Sequence, residues 1–571
     1  MFTSLISRRL IGYIENFELL GEEQAGFRKQ HSTVDHLLVL YSLIELYVKD
    51  KKKLYCSFID YSKAFDTVPH VHLWTKLLAT GINGKIFNVV KAMYESAKSY
   101  VRQGNCKGFS FNCEIGVRQG ENLSPLLFAL YLNDLESFLS KAFNGLKRVD
   151  HMLQEFTQTD DIIVYLRLFT ILYADDTVIL AESGTELQAA LNGMHHYCQI
   201  WKLKINTSKT KVVVFGAKPD KIKETFKLGD MHLNVVSEYE YLGMSFKYNG
   251  NLAPGIVKIR DQASRAMYAL IAKSRKLGLS IDVQLYLFDT LVIPVALYGS
   301  EVWGFKNVDI VEQLHLKYMR MLLKVNNSTP KCMLYGELGR LPLKYNVELR
   351  MINFWYRLIS GNKRKISYNM YQLLFKLDDF GVYHSEWITK LKEIIQKCNL
   401  YDKCWIEQEN QDLFSEISLD MFKTKAKNNL RQWYEHSWRN DVQNSSKCIF
   451  YKEFKQELKI EKYLLILDHP DRINLTKFRL SNHKLPVEIG RHNNIIRKER
   501  LCEFCDKNDI GDEYHYFFSC SKFMQEINKL IPKNCIKHPS VKGFCDLLAT
   551  NSSNTMRKLA TMCKIIMSCF K

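Results

Sequence analysis

Three separated stretches carry carboxylates and turn residues of types that could act together. Leu172-Tyr173 and Thr177-Val178-Ile179-Leu180, rich in β-branched and aromatic residues, predict two short strands flanking a tight turn that bears Asp175 and Asp176. Adjacent carboxylates at the tip of an apolar hairpin repel and resist desolvation unless cations neutralise them, and divalent metal is the simplest remedy. An isolated Asp-Asp is more often a solvated turn. Asp60 changes that balance: it ends the apolar run Leu54-Tyr55-Cys56-Ser57-Phe58-Ile59, a predicted buried strand leading into a helical turn at Lys63-Ala64-Phe65. Beside the hairpin tip it would complete a set of hard oxygen ligands, which Mg²⁺ favours while keeping waters and substrate phosphates. Two such ions about 3.5–4 Å apart can activate an attacking hydroxyl and stabilise a leaving pyrophosphate. Carboxylates placed at helix N-termini by the macrodipole would explain Asp66 but not the apolar approach to Asp60. The third stretch, Gly116-Val117-Arg118-Gln119-Gly120 followed by Ser124-Pro125, predicts a turn and then a helix with Ser124 as N-cap and Pro125 at its first position.

The order and wording of these stretches resemble the reverse transcriptase of non-LTR (LINE-type) retrotransposons. The resemblance opens at Gln24-Ala25-Gly26-Phe27-Arg28 with Ser32-Thr33 and continues through 58–66, 116–128 and 172–181. It then takes in Leu203-Lys204-Ile205-Asn206 with Ser208-Lys209-Thr210, and Tyr241-Leu242-Gly243. It implies an α/β (α+β) right-hand polymerase fold, with fingers and palm over 1–249 and a thumb over 250–325. It also implies that Asp60, Asp175 and Asp176 bind two Mg²⁺ ions. By the same carry-over Phe65 resembles the bulky steric gate that excludes a 2′-hydroxyl, the main handle by which proteins tell RNA from DNA. Gln119, Gly120 and Tyr61 would contact nucleotide and template, with Gly120 permitting close backbone approach. Arg28 would meet the triphosphate, and Lys209 would protonate the departing pyrophosphate as a general acid. On their own, Phe65 reads as a core aromatic, Arg28 as a surface cation and Lys209 as a solvated strand-edge lysine. Glu121 departs from the pattern, where many relatives carry an uncharged or cysteine residue, and adds negative charge near the template strand.

A second constellation lies near the end. Cys502-x2-Cys505-x9-His515-x4-Cys520 supplies three thiolates and an imidazole in one short segment, the softness and count of a closed tetrahedral structural Zn²⁺ site. Buried free thiols are the competing reading. Arg491, His492, Arg497, Lys498 and Arg500 would place positive charge beside it. The pattern also resembles the C-terminal Cys-Cys-His-Cys motif of many non-LTR elements. Its central gap exceeds that of a retroviral zinc knuckle, so single-strand recognition does not carry over from knuckles.

The elements that must position these groups sit in a chain of 571 residues, 46% hydrophobic, long enough for several cores. A net charge of +19 and a pI of about 9.1 suit a phosphate-backbone partner held by a sequence-independent electrostatic term. The first twenty residues read as an amphipathic helix. The apolar stretch 285–303 is interrupted by Asp289 and Pro294, so a packed helix is expected there and no membrane partner. Fifteen cysteines without a framework suggest reduced thiols, in nucleus or cytoplasm. Lys51-Lys52-Lys53 reads as a solvated loop before an import signal.

Beyond residue 325 the pattern is mainly helical: a region over 326–490, the zinc-binding segment over 491–525 and a helical tail over 526–571. Its aromatics, Phe354-Trp355-Tyr356, Trp387, Trp405, Trp433 and Trp438, either stack bases or, more often at such spacing, pack a core. Asp160-Asp161 and Asp378-Asp379 read as solvated turns, and no nuclease-like acidic spacing is seen, so a polymerase and C-terminal portion without endonuclease is expected. The expected activity is an RNA-directed DNA polymerase using an RNA template, a DNA or RNA primer and dNTPs. An RNA-dependent RNA polymerase fits less well, given Ala174 and Phe65. A group II intron maturase lacks the C-terminal Cys/His pattern, and an inactive nucleic-acid-binding relic would have a broken carboxylate triad.

Overall fold

β-branched and aromatic runs in the first half of the chain build one mixed sheet. The computed structural model describes residues 2–570 apart from 23, 27, 29, 142–169, 174–175, 401–404 and 406–417. The chain forms two compact units, Met1–Ile256 with Gly299–Phe305 and Asn353–Lys392, and Val257–Tyr298 with Lys306–Ile352 and Glu393–Lys571.

In the first unit the strands are β1 (Leu54–Ile59), β2 (Thr170–Tyr173), β3 (Asp176–Ala181), β4 (Lys211–Phe215), β5 (Phe226–Leu228) and β6 (Met231–Val235). Their order is β2-β3-β1-β4-β6-β5, antiparallel except between β4 and β6. Every residue of β1 is buried, which is why it reads as a mostly apolar run without alternation, broken only by the buried Ser57. A separate hairpin pairs β7 (Glu238–Tyr241) with β8 (Met244–Lys247). The helices are α1 (Phe2–Asn16), α2 (Thr33–Lys49), α3 (His70–Ala79), α4 (Gly84–Glu95), α5 (Ser124–Leu132), α6 (Leu135–Leu139) and α7 (Gly184–Ile200). Helix α5 is apolar all round and buried along its length, as a helix inside a core must be. It shares one core with Ile179, Val212 and Val214 of the sheet and Leu187 and Leu191 of α7.

Helix α2 starts from a capping box, Ser32 N–H donating to Asp35 Oδ2 at 2.8 Å, and Asp35 Oδ1 also accepts from Ser367 Oγ at 2.7 Å. Ser385 Oγ donates to Glu45 Oε2 at 3.1 Å. These bonds tie helix Ile366–Asp379 and the start of Glu386–Lys397 to α2. They also correct one expectation: Asp378 is no solvated turn but a buried helical carboxylate holding Lys392 Nζ at 2.5 Å and His384 Nδ1 at 3.0 Å. Asp160 and Asp161 lie outside the described residues.

The second unit is mainly helical, with Phe288 stacked on Tyr318 at 4.1 Å in its core. One of its buried ion pairs, Arg479 Nη2 to Glu337 Oε1 at 2.9 Å, is completed by Tyr463 Oη donating to Glu337 Oε2 at 2.6 Å. Low dielectric demands this full partnering. The aromatics pack: Phe354, Trp355, Tyr356, Trp387, Trp405 and Trp438 are all buried, and only Trp433 of that group is exposed. The 285–303 stretch breaks into short helices around Val292, and no described helix is long and apolar enough to cross a membrane.

Candidate active site and metal-ligand cluster

β1 and β3 pair antiparallel with Ile59 facing Thr177 and Phe58 facing Val178, so the next pair outward along the register is Asp60 with Asp176. The β2–β3 ladder closes on Tyr173 facing Asp176, and Asp175 lies outside the described residues. Asp60 is fixed by its backbone: its N–H donates to Thr210 Oγ1 at 3.1 Å and its carbonyl accepts from Asn206 N–H at 2.7 Å. Lys209 Nζ then stands 3.8 Å from Asp60 Oδ2, on a largely exposed side chain. Tyr239 of β7 stacks on Phe58 at 4.4 Å, and burial, then Asp176 and Asp60, push its phenol up to about 12. That phenol feels both carboxylates, which places negative charge from two strand ends in one neighbourhood.

The 116–120 turn lies against the segment after Asp60. Gly116 N–H donates to Val68 O at 2.8 Å, and Val117 N–H to Phe65 O at 2.7 Å. Gly116 has φ +89°, and a Cβ there would meet Asp66 O at 2.9 Å, so only glycine fits. Gly120 has φ +79° with open space where a methyl group would sit, so its backbone angle, rather than any close approach within the protein, calls for glycine. Gln119 Nε2 donates to Asp66 Oδ1 at 3.0 Å. Phe65 is half-buried and stacks on Phe128 at 4.9 Å. Ser124 does not cap α5: it is the helix's first residue, and its buried hydroxyl meets Tyr94 Oη at 3.3 Å. The departure at Glu121 carries its own remedy, Arg118 Nη1 at 3.6 Å.

Two other named residues turn inward. Tyr61 is buried, its ring edge-on to Phe128 at 6.4 Å. Arg28 is also buried, with Glu22 Oε1 at 3.2 Å, Glu15 Oε2 at 3.4 Å and Gly21 O at 2.8 Å around its guanidinium. Thr210 and Tyr239 escaped the sequence reading as site residues. Period-two alternation back from Tyr241 could have flagged Tyr239.

The C-terminal Cys/His residues converge. One donor atom from each of Cys502, Cys505, His515 and Cys520 lies within 4.8 Å of all the others. Cys502 Sγ is 3.9 Å from Cys520 Sγ, and Cys505 Sγ is 3.4 Å from His515 Nε2. With metal–sulfur and metal–nitrogen bonds of about 2.3 and 2.0 Å, tetrahedral edges fall near 3.5–3.8 Å, so these residues fit one Zn²⁺. His515 Nδ1 lies 3.3 Å from Asp509 Oδ2, the kind of carboxylate contact that orients a ligating imidazole. Burial lowers the His515 pKa and favours the neutral ring that a metal needs. Asp512 caps the helix Glu513–Phe518 by accepting from His515 N–H at 3.0 Å. The neighbouring arginines are already engaged: Arg497 with Asp512 at 2.6 Å, Arg491 with Glu488 at 3.1 Å, and Arg500 with Val487 O at 2.8 Å.

Residues 3–246 match the family model for reverse transcriptase (RNA-dependent DNA polymerase). The probable RNA-directed DNA polymerase from transposon BS of Drosophila melanogaster is 27% identical over 327 residues, covering 56% of this chain and 34% of that protein. The RNA-directed DNA polymerase from mobile element jockey of Drosophila funebris is 25% identical over 338 residues, covering 57% of this chain and 34% of that protein. The chain thus spans about a third of the length of these relatives. Apo telomerase from Candida tropicalis superimposes with a TM-score of 0.32 at 12% identity, over 72% of this chain and 60% of that one, too slight a likeness to carry an argument. The paired strand ends, the β2–β3 hairpin and the 116–120 turn all fall inside the matched segment, and residues 3–246 are a reverse transcriptase domain similar to those of non-LTR mobile elements.

Proposed function

We propose that the chain is an RNA-directed DNA polymerase that copies RNA into DNA from a supplied primer 3′ hydroxyl. The single observation that carries this is the register of β1 and β3, which runs outward from Ile59 facing Thr177 to Asp60 and Asp176. In this reading Asp60, Asp175 and Asp176 would hold two Mg²⁺ ions, which supply activation of the primer hydroxyl and charge stabilisation on the phosphates when bound. Thr210 and Asn206 hold the Asp60 backbone. Lys209 would give a proton to the departing pyrophosphate, a role supported by its place 3.8 Å from Asp60. Phe65, braced by Phe128, would exclude a 2′-hydroxyl, and Gln119 and Gly120 would line the nucleotide and template side.

Arg28 contributes to triphosphate binding in this reading only if Glu15 and Glu22 release it, and Tyr61 only through its buried ring. The sheet and helices of 1–249 would be fingers and palm, the helices of 250–325 a thumb, and 326–490, 491–525 and 526–571 the helical region, metal-binding segment and tail. Cys502, Cys505, His515 and Cys520 would hold one structural Zn²⁺, supported by their mutual distances. RNA template, DNA or RNA primer and dNTPs are the partners. Primer extension by the purified chain on an RNA template with dNTPs and Mg²⁺ tests the proposal. Primer-dependent DNA synthesis is expected, and its absence across template sequences and primer types overturns it.

A further inference from the structure

Between Glu95 and Glu114 the chain has no carboxylate and three cations, Lys98, Arg102 and Lys107. This stretch forms an arm of two short ladders, Lys98–Ser99 against Phe111–Asn112 and Arg102–Gln103 against Cys106–Lys107. Gly108 N–H donating to Val101 O at 2.8 Å and Cys113 N–H donating to Ala97 O at 3.0 Å hold it closed. Its large side chains are turned outward. Phe109 is 98% exposed, and Tyr100, Val101 and Phe111 are exposed with it. Covering such rings removes apolar surface from water, so a cluster of them left exposed marks a surface with a partner.

We infer that this arm is a docking surface for single-stranded template RNA, an inference that rests on the polymerase reading above. Aromatic rings offer faces on which unpaired bases stack, and cations between them meet the phosphates. Lys107 Nζ lies 5.1 Å from the Tyr100 ring centroid, so charge and ring face are presented together. Arg102 Nε is bonded to Gly104 O within the arm, and no carboxylate of the arm competes for its charge. A second copy docked arm to arm is a poor occupant, because it would set three cations against three. Duplex is a poor occupant too, because its base faces are already stacked.

The root of the arm gives the strand a destination. Ile115 bridges Pro69, and the next residue, Gly116, opens the turn that leads to Gln119 and Gly120 and lies against Phe65 O and Val68 O. A strand stacked on Tyr100, Phe109 and Phe111 would therefore arrive beside the residues proposed to meet the templating base.

The test uses the full chain, a labelled unstructured RNA strand and the matching blunt duplex, read by fluorescence anisotropy. Tyr100→Ala with Phe109→Ala is expected to weaken single-strand binding at least about thirtyfold while leaving duplex binding within a factor of about two. Lys98→Ala with Arg102→Ala and Lys107→Ala should reduce the slope of log affinity against log salt by about 2, the single-strand value for three phosphates. Primer extension separates the two readings. On a template with a long 5′ overhang the aromatic variant should lose processive synthesis, while single-nucleotide addition at a minimal overhang survives. Unchanged single-strand affinity in both variants overturns the inference, even if the wild type polymerises. A wild-type chain that never polymerises overturns the polymerase reading, and the binding contrast then still judges the arm. Dimerisation abolished by Phe109→Ala, or arm-dependent binding to anionic vesicles without RNA binding, also overturns it.

Discussion

At the scale of single residues, the proposed chemistry rests on carboxylates whose positions are set by strand ends. Asp176→Asn keeps the side-chain volume and removes one charge from the pair that Tyr239 senses. Losing a group that merely supports a ligand costs metal sites about 10–100-fold, so loss of a direct ligand should cost more than about 100-fold in extension rate. Template binding should persist within about twofold, because the phosphate contacts are spread over a surface. Single-turnover extension beside a binding isotherm measures both. Extension at the wild-type rate would remove Asp176 from the proposed ligand set. Phe65→Val tests sugar selection separately. The ring is half-buried against Phe128, so trimming it opens space on its exposed side and costs little of the core. Ribonucleotide incorporation should rise by about tenfold or more relative to deoxynucleotide, since a steric clash is removed without loss of a hydrogen bond. Unaltered discrimination would return Phe65 to the status of a packing residue.

At the scale of elements, helix α2 shows how burial turns a side chain into a pH liability. His36 is buried in α2, and burial pushes its imidazole down to about 3, against the opposing pull of Asp35 and with a small push from His31. The unfolded chain takes up that proton near pH 6.5 and the folded chain does not, so stability is full above pH 6.5 and falls as pH drops toward 3. At pH 5 the loss from this one group is about 2 kcal/mol. Urea unfolding of the first unit at pH 7 and pH 5 should show it, and His36→Leu should flatten the difference; an equal slope in the variant would assign the acid sensitivity elsewhere. The same helix shows what the sequence could reveal. The strand Leu54–Ile59 was legible as a short, mostly apolar run, and the strands Thr170–Tyr173 and Asp176–Ala181 from their β-branched and aromatic residues. That Ser367 would bind Asp35, or Ser385 bind Glu45, was not, because such bonds join positions hundreds of residues apart with no period to betray them. Arg28 hid its ion pairs for another reason: Glu15 and Glu22 are near in sequence, but the chain from α1 must fold back before they surround the guanidinium. The Cys/His cluster was legible from spacing alone; alternation with Tyr241 marks Tyr239 as a candidate, but its stack on Phe58 comes from the packing of one hairpin on β1.

At the scale of the whole molecule, the two units are held by different means, and that difference is testable. The first has a sheet and a large apolar core around α5. In the second, rings join the segment with the Cys/His cluster to the residue just past the C-terminal helix Ser553–Ser568: Phe504 and Tyr516 lie 5.0 and 5.2 Å from Phe570. The loop that carries Cys502 and Cys505 has one isolated bridge, Leu501 with Ile510, and no strand of its own. Without a cation, three sulfurs and an imidazole would be left packed together with only weak thiol contacts among them, and short metal-binding segments draw most of their folding energy from the ion. Purified chain should therefore carry one zinc, and chelation or Cys505→Ser should open this segment. Hydrogen exchange reads the result by region. Amides over 501–523 and 553–570 should lose protection by about 100-fold, equivalent to about 3 kcal/mol of local stability, while those of β1 and β4 keep theirs. Zinc-free protein with unchanged protection over 501–523 would leave the four residues as buried thiols and a histidine, and the proposed metal centre would fall.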